Sequence, residues 1–228
     1  MGNIGTLFVV ATPIGNLGDI STRAIETLKK ADMVLCEDTR VTKKLLSHFD
    51  IATETLSYHS HSGLAKVDKI IGLLQDGKLL ALVTDAGTPG ISDPGSALVS
   101  AVRKQLPSIR IEAVPGPSAL TAALSISGLP SSDFLFLGFP PQKKGRKKFF
   151  DEVAEQERTV VLYESPHRFL KTLAELNGRL SEKRTVVVAR EMTKLYENVV
   201  TGPIDGVVNY FNEHPDEVRG EFVISIGS

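Results

Sequence analysis

The chain has 228 residues, 42% of them hydrophobic and 23% charged. That is an ordinary globular composition, with room for one large domain or two small ones. A single cysteine, Cys36, excludes an intramolecular disulfide and points to a reducing, cytoplasmic setting. A net charge of −1 excludes the wholly basic surface of a nucleic-acid coat, so any contact with nucleic acid is local.

The opening segment "MGNIGTLFVVATPIG" has no basic n-region, and its apolar run is too short for a secretion signal. No stretch approaches the roughly 18–20 apolar residues of a membrane span. Inside that segment "TLFVVA" (6–11) predicts the first strand. "STRAIETLKKA" follows as a helix, with Ser21 as N-cap and Ala24, Ile25 and Leu28 at helical spacing. "MVLC" (33–36) is the next strand. "GLAKVDKIIGLLQDG" (63–77) is a helix whose apolar face is Leu64, Val67, Ile70, Ile71 and Leu74, stopped at Gly77. Strands are predicted at "LLALV" (79–83), "IRIEAV" (109–114), "FLFLGF" (134–139) and "TVVLY" (159–163). Pro166 opens and Gly178 closes the helix "PHRFLKTLAELNG", and "TVVVA" (185–189) and "FVISI" (222–226) complete the strands. Their near-continuous apolar character predicts sheets covered on both faces. Alternation with helices predicts an α/β protein with mainly parallel sheets. The small, polar, Gly/Pro-bearing stretch 114–134, with a short Ala-rich helix inside it, places a boundary near residue 116. The expected domains are then 1–116 and 117–228. No internal repeat or low-complexity tract is visible, and "KKGRKK" (143–148) is the one charge run.

In open parallel sheets ligands bind beyond the carboxyl ends of strands, and here every strand end carries chemistry. "TPIGNLGDIS" follows the first strand; Gly15 and Gly18 do not make a dinucleotide fingerprint, and no P-loop lysine follows. "EDTR" (37–40) follows the second, "DAGTPGISDPG" (85–95) the strand at 79–83, and "PGPSA" the strand at 109–114. "PPQKKGRKK", "ESPHR" and "REMTKLYE" follow later strands. Each has a bland reading: a Gly/Pro loop is an ordinary turn, "EDTR" a helix start whose carboxylates complement the dipole, and "KKGRKK" a solvated loop. His48, His59, His61, His167 and His214 show no metal-ligand spacing and Cys36 has no cysteine partner, so no metal is expected.

Taken in order, "ATPIGNLGD", "DAGTPGIS" and "VPGPSALTAAL" resemble the tetrapyrrole methylase superfamily, the class III S-adenosylmethionine methyltransferases. More closely, "VATPIGNLGDISTRAIETLKKADMVLCEDTR", "TDAGTPGISDPG", "YESPHR" and the "ARE", "MTK" and "LYE" segments resemble the small-subunit ribosomal RNA methyltransferase I family, over essentially the whole chain. The resemblance implies two α/β domains with the cofactor cleft between them, and a homodimer. It also implies 2′-O-ribose methylation of a cytidine in the decoding region of 16S rRNA within the 30S subunit. It carries Pro13, Ala86, Gly87, Thr88, Ile91, Ser118, Ala119, Gly138, Tyr163 and Glu164 into contact with S-adenosylmethionine. Two departures stand out. The superfamily's "GDP" loop reads Gly87-Thr88-Pro89 here, flanked by Asp85 and Asp93. Longer members also carry a further small C-terminal helical region beyond the point where this sequence stops.

The residues suit that chemistry. Glycines allow close backbone approach to a ligand, and Asp85 or a nearby carboxylate can offset a sulfonium. A ribose hydroxyl needs a base within reach: Glu37 or Asp38 is the first candidate, with Asp38 expected to serve turnover and Glu37 the helix cap. "REMTKLYE" is the second candidate segment, with Lys194 able to lower the hydroxyl's pKa or bind phosphate. Arg40, Lys43, Lys44, Arg168 and the run Lys143, Lys144, Arg146, Lys147 and Lys148 are the expected RNA contacts. With 6% aromatic residues and no Trp, a broad base-stacking platform is not expected. A small-molecule methyltransferase of the same fold, and a non-catalytic ligand-binding α/β protein, are the alternatives.

Overall fold

The apolar runs become strands and the amphipathic stretches between them helices. The computed structural model describes residues 5–59 and 62–228; the first four residues of the opening segment and His61 lie outside the described residues. The chain divides into two compact units, Met1–Ser118 and Ala119–Ser228.

The first unit runs β1 (Thr6–Val10), α1 (Thr22–Lys30), β2 (Met33–Cys36), α2 (Thr39–His48), β3 (Thr55–Ser57), α3 (Leu64–Gln75), β4 (Leu79–Leu82), α4 (Gly95–Gln105) and β5 (Arg110–Val114). Among the described residues its strands form one sheet in the order β3-β2-β4-β1-β5, every pairing parallel. Successive strand residues point to opposite faces, so Ala81 joins one core and Leu80 and Leu82 the other. On one face Ala24 and Leu28 of α1 and Leu46 of α2 pack on Val10, Val34, Cys36 and Ala81. On the other, Ile70 and Leu74 of α3 and Leu98 and Val102 of α4 pack on Leu7, Leu35, Leu80 and Leu82. Each such fully buried aliphatic side chain contributes about 1.5–3 kcal/mol. Ser21 caps α1 as its sequence predicts, accepting from the Ala24 N–H at 3.1 Å.

This topology positions the site. The chain leaves β2 toward β3 through α2 on one face, and leaves the neighbouring β4 toward β5 through α4 on the other. The connections diverge at the carboxyl ends of β2 and β4, the switch point where open sheets present a crevice.

The second unit runs α5 (Ala119–Ile126), β6 (Phe134–Gly138), α6 (Arg146–Glu155), β7 (Thr159–Glu164), α7 (Pro166–Asn177), β8 (Thr185–Arg190), β9 (Asn198–Pro203), α8 (Ile204–Glu213) and β10 (Phe222–Ile226). The strand order is β6-β7-β10-β8-β9. Only β6–β7 is parallel; β7–β10, β10–β8 and β8–β9 are antiparallel, so the expectation of mainly parallel sheets fails in this unit. The reason is that a continuous apolar run reports two covered faces, not strand direction. β10 is buried along its whole length. On one face α6, α7 and α8 supply Phe150, Phe169, Leu173 and Phe211, with Phe169 stacked on Phe222 at 3.8 Å. The helix α5 also packs against β10.

Candidate active site

The Gly/Pro loop after β4 is fastened to its neighbours through the main chain. Thr12, just past β1, donates its N–H to the Gly87 carbonyl at 2.9 Å and accepts from the Gly87 N–H at 3.1 Å. The buried Thr12 hydroxyl donates to the Thr84 carbonyl at 3.0 Å, and the Thr88 hydroxyl to the Pro117 carbonyl at 3.2 Å. Asp93 folds back, its Oδ1 accepting from Gly90 N–H at 2.8 Å and from Gly95 N–H, at the start of α4, at 2.6 Å. Its other oxygen is buried without a hydrogen-bond partner. Gly87 has φ +87°. A Cβ there would meet Ile14 Cγ2 at an ordinary 3.4 Å, so glycine is required by backbone conformation, not by lack of room. Pro13 is buried, while Asp85, Ala86 and Ile91 are exposed around the loop. Thr12 and Asp93 were not singled out as site residues from sequence. The Asp-Pro-Gly at 93–95 carries a helix-start signal; Thr12 carries none.

Four carboxyl groups gather at these strand ends, and their surroundings separate them. Asp38 is the N-cap of α2: Oδ1 accepts from the Arg40 N–H at 2.8 Å, and Oδ2 pairs with Arg40 Nη2 at 2.7 Å. The Arg40 side-chain bonds, then its backbone N–H, hold the Asp38 carboxyl down at about 2. Glu37, one residue earlier, moves the other way. Solvent reaches it, yet the surrounding protein dehydrates its carboxyl enough to raise the pKa; Asp85 and Asp93 raise it further and His59 opposes them. Asp85 is also raised, by partial burial and the Asp38 charge, although its Oδ1 accepts from the Asp38 N–H at 3.2 Å. Neighbouring carboxyls at one strand-end cluster are thus shifted in opposite directions, Asp38 down and Glu37 and Asp85 up, a pattern common where acid–base chemistry is done. Cys36 is fully buried beneath them, and burial pushes its thiol up.

In the second unit the expected residues are arranged otherwise. The Tyr163 hydroxyl accepts from the Leu120 N–H at 3.0 Å, Gly138 has φ +63° beside an irregularity in the β6–β7 register, and Ala119 opens α5; Ser118 ends the first unit. The Glu164 carboxylate is buried and fully engaged, by Arg168 Nη2 at 2.8 Å, the Ser165 N–H at 2.8 Å and the Thr172 hydroxyl at 2.6 Å. Arg168 is pinned between Glu164 and the Pro140 carbonyl, 2.9 Å away. Lys194 bridges Glu191 at 2.7 Å and Glu221 at 2.9 Å, and those carboxylates raise its pKa against the opposing effect of burial. Glu191 holds a positive φ of 51°, which no sequence signal announces.

The basic run divides. Lys143, Lys144, Lys147 and Lys148 are exposed, as are Lys43 and Lys44 on α2. Arg146 is a correction to the expected RNA contacts. It is only 5% exposed, donates to the Pro141 carbonyl at 3.0 Å and Thr172 Oγ1 at 2.9 Å, and covers the Phe150 ring. The helix α6 starts inside the run, and its first residue turns into the core.

Comparison with known proteins gives this arrangement a family. The family model described as Tetrapyrrole (Corrin/Porphyrin) Methylases matches residues 6–207. The chain belongs to the tetrapyrrole methylases. Among curated members of similar sequence, this methylase is 46% identical to "Ribosomal RNA small subunit methyltransferase I" of Synechocystis sp., over 98% of this chain and 79% of that protein. It is 42% identical to the protein of the same name from Escherichia coli O157:H7, over 97% of this chain and 77% of that one. Its fold matches a cobalt precorrin-4 methyltransferase, with TM-score 0.68 at 20% identity over 97% of this chain and 94% of the other. It also matches a uroporphyrin-III C-methyltransferase from Thermus thermophilus complexed with S-adenyl homocysteine, with TM-score 0.65 at 18% identity over 98% of each chain.

Proposed function

We propose that this tetrapyrrole methylase is an S-adenosylmethionine-dependent rRNA methyltransferase, acting on the ribose 2′-hydroxyl of a cytidine in the decoding region of 16S rRNA within the 30S subunit. The name and high identity of its relatives support rRNA as the substrate. The observation that carries the chemistry is the clustering of Glu37, Asp38 and Asp85 at one switch point, where the Arg40 N–H and guanidinium occupy Asp38 and Asp85 accepts from the Asp38 N–H.

The residues present fit the cofactor. Gly87 and Gly90, both at positive φ, turn the loop backbone into a ligand-binding surface. Asp85 offers a carboxylate that a cationic ligand would keep ionised, and Asp93 has a buried oxygen without a partner. Pro13, Ala86, Gly87, Thr88, Ile91 and Ser118 would hold it. Ala119, Gly138, Tyr163 and Glu164 are proposed as further contacts, Glu164 through its backbone because its carboxylate is occupied. When bound, the cofactor supplies an electrophilic methyl carbon on a sulfonium.

The chain's own task is to align the hydroxyl and receive its proton. Glu37 suits that better than Asp38: a base with a raised pKa pulls harder on a weakly acidic hydroxyl, whereas Asp38 is neutralised by Arg40. Lys43, Lys44, Lys143, Lys144, Lys147 and Lys148 meet RNA phosphates. The enzyme works in the cytoplasm as a homodimer. Incubation of purified protein with tritiated S-adenosylmethionine and unmethylated 30S subunits, then nuclease digestion, should yield labelled 2′-O-methylcytidine. Label in a tetrapyrrole precursor instead, with none in RNA, would assign the protein to the other branch of its family.

A further inference from the structure

Phe139 is a large aromatic that folding leaves half in water: it is 50% exposed, in a protein with few aromatic residues. It stands directly after β6, in the segment "FPPQKKGRKK". Its ring is firmly held. It lies edge-on to Tyr163, centroids 5.6 Å apart, and Tyr163 lies edge-on to Phe136 at 4.9 Å. Pro140 and Pro141 follow and restrict the backbone. The Arg168 guanidinium sits over the ring at 6.0 Å and is itself fixed by Glu164 and the Pro140 carbonyl. A rigid, half-open aromatic beside an immobilised guanidinium, with exposed Lys143 and Lys144 a few residues on, combines the parts of a single-strand RNA contact: a π-face for a base and cations for its phosphates.

We propose that Phe139, buttressed by Tyr163 and Arg168, is a positioning residue that stacks an unpaired base of the RNA substrate. The inference rests on the rRNA reading above and adds to it which side chain takes a base and which take phosphates. Arg168 serves as the clamp that fixes the ring, which accounts for its engagement with Glu164 rather than with solvent. One such residue is no broad stacking platform, in keeping with the low aromatic content.

The two kinds of contact differ in their salt response. Phosphate contacts release counterions and set the slope of log affinity against log salt, whereas a stacked base does not. The test uses the full-length protein, a single-stranded decoding-region oligoribonucleotide carrying a fluorescent cytosine analogue, and the variants Phe139→Ala, Phe139→Leu and Phe139→Trp. Expected for Ala and Leu is a loss of RNA affinity of about tenfold, with the analogue unquenched, the salt slope unchanged and S-adenosylmethionine affinity by calorimetry unchanged. Phe139→Trp should retain wild-type affinity. The variant in which Lys143, Lys144, Lys147 and Lys148 become Ala should flatten the slope instead. Wild-type RNA affinity and quenching in Phe139→Ala, beside weakened binding in the lysine variant, would overturn the stacking role and leave the rRNA reading standing. Loss of cofactor affinity in Phe139→Ala would assign the ring to the adenine of the cofactor and overturn it also. A wild-type protein that neither binds the RNA nor methylates 30S subunits would remove the rRNA reading, and this inference with it.

Discussion

A carboxylate becomes a cap or a base according to what its oxygens already hold. Asp38 accepts a helix N–H and a bidentate arginine; Glu37 has dehydration and like charge pressing on it. Glu37→Gln should therefore lower single-turnover methylation of 30S subunits by about 10²–10⁴-fold, with cofactor affinity and melting temperature close to wild type. Asp38→Asn should instead lower the melting temperature and retain most turnover. Because the folded pKa of Asp38 is depressed, its stabilisation is present above the ordinary aspartate value of 3.8 and fades as pH falls toward about 2. The gap in melting temperature between wild type and Asp38→Asn should close over that window. For activity the sign is opposite. As the proposed base, Glu37 works only deprotonated, so turnover should be lost as pH falls through its raised pKa. Asp85→Asn removes one charge that raises it, so at saturating cofactor the acid limb of the pH–rate profile should move to lower pH. A limb that stays in place would remove Glu37 as the titrating group.

Among the elements, two strand-end segments depend on backbone features that substitution can isolate. Gly87→Val puts a β-branched residue at φ +87°, a conformation that costs about 1–3 kcal/mol, and the Thr12–Gly87 pairing must yield. Calorimetry should show S-adenosylmethionine binding lost while unfolding stays cooperative; unchanged affinity would take the loop out of the site. The start of α6 sets lysines against the positive end of the helix. Changing Lys147 and Lys148 to Ala should thus weaken RNA binding and reduce its salt slope while leaving stability equal or higher. Arg146→Ala should do the reverse, lowering stability through the buried Thr172 and Glu175 contacts without altering the slope. Sequence alone grouped all five cations of the run together. Only the register of α6, set by Phe150 and Val153 seeking the core, shows that the third faces inward.

At the scale of the whole molecule, the legible parts were those where one physical signal dominates. Strands buried on both faces read as unbroken apolar runs, and β2 and β10 appear with the bounds their residues suggest. The strand β3 has three residues and β9 alternates half-buried with exposed residues around a Gly and a Pro, too little pattern to stand out. Strand direction in the second unit was illegible because burial carries no sign of it. In the site, the Gly loop and "EDTR" were visible as unusual strand ends. The partition of Glu37 from Asp38 was not, since it depends on Asp85 and Asp93 arriving from a distant stretch of chain. The strand order has one more consequence, for synthesis. The first unit owns all its strands by Val114, whereas β10, the last strand of the second unit, lies between β7 and β8. A nascent chain can close its first sheet while the ribosome is still translating the second unit, but that second sheet is split down its middle until Ile226 has emerged. The enzyme's two halves can therefore mature at different times, the later one completing its sheet only once β10 is available.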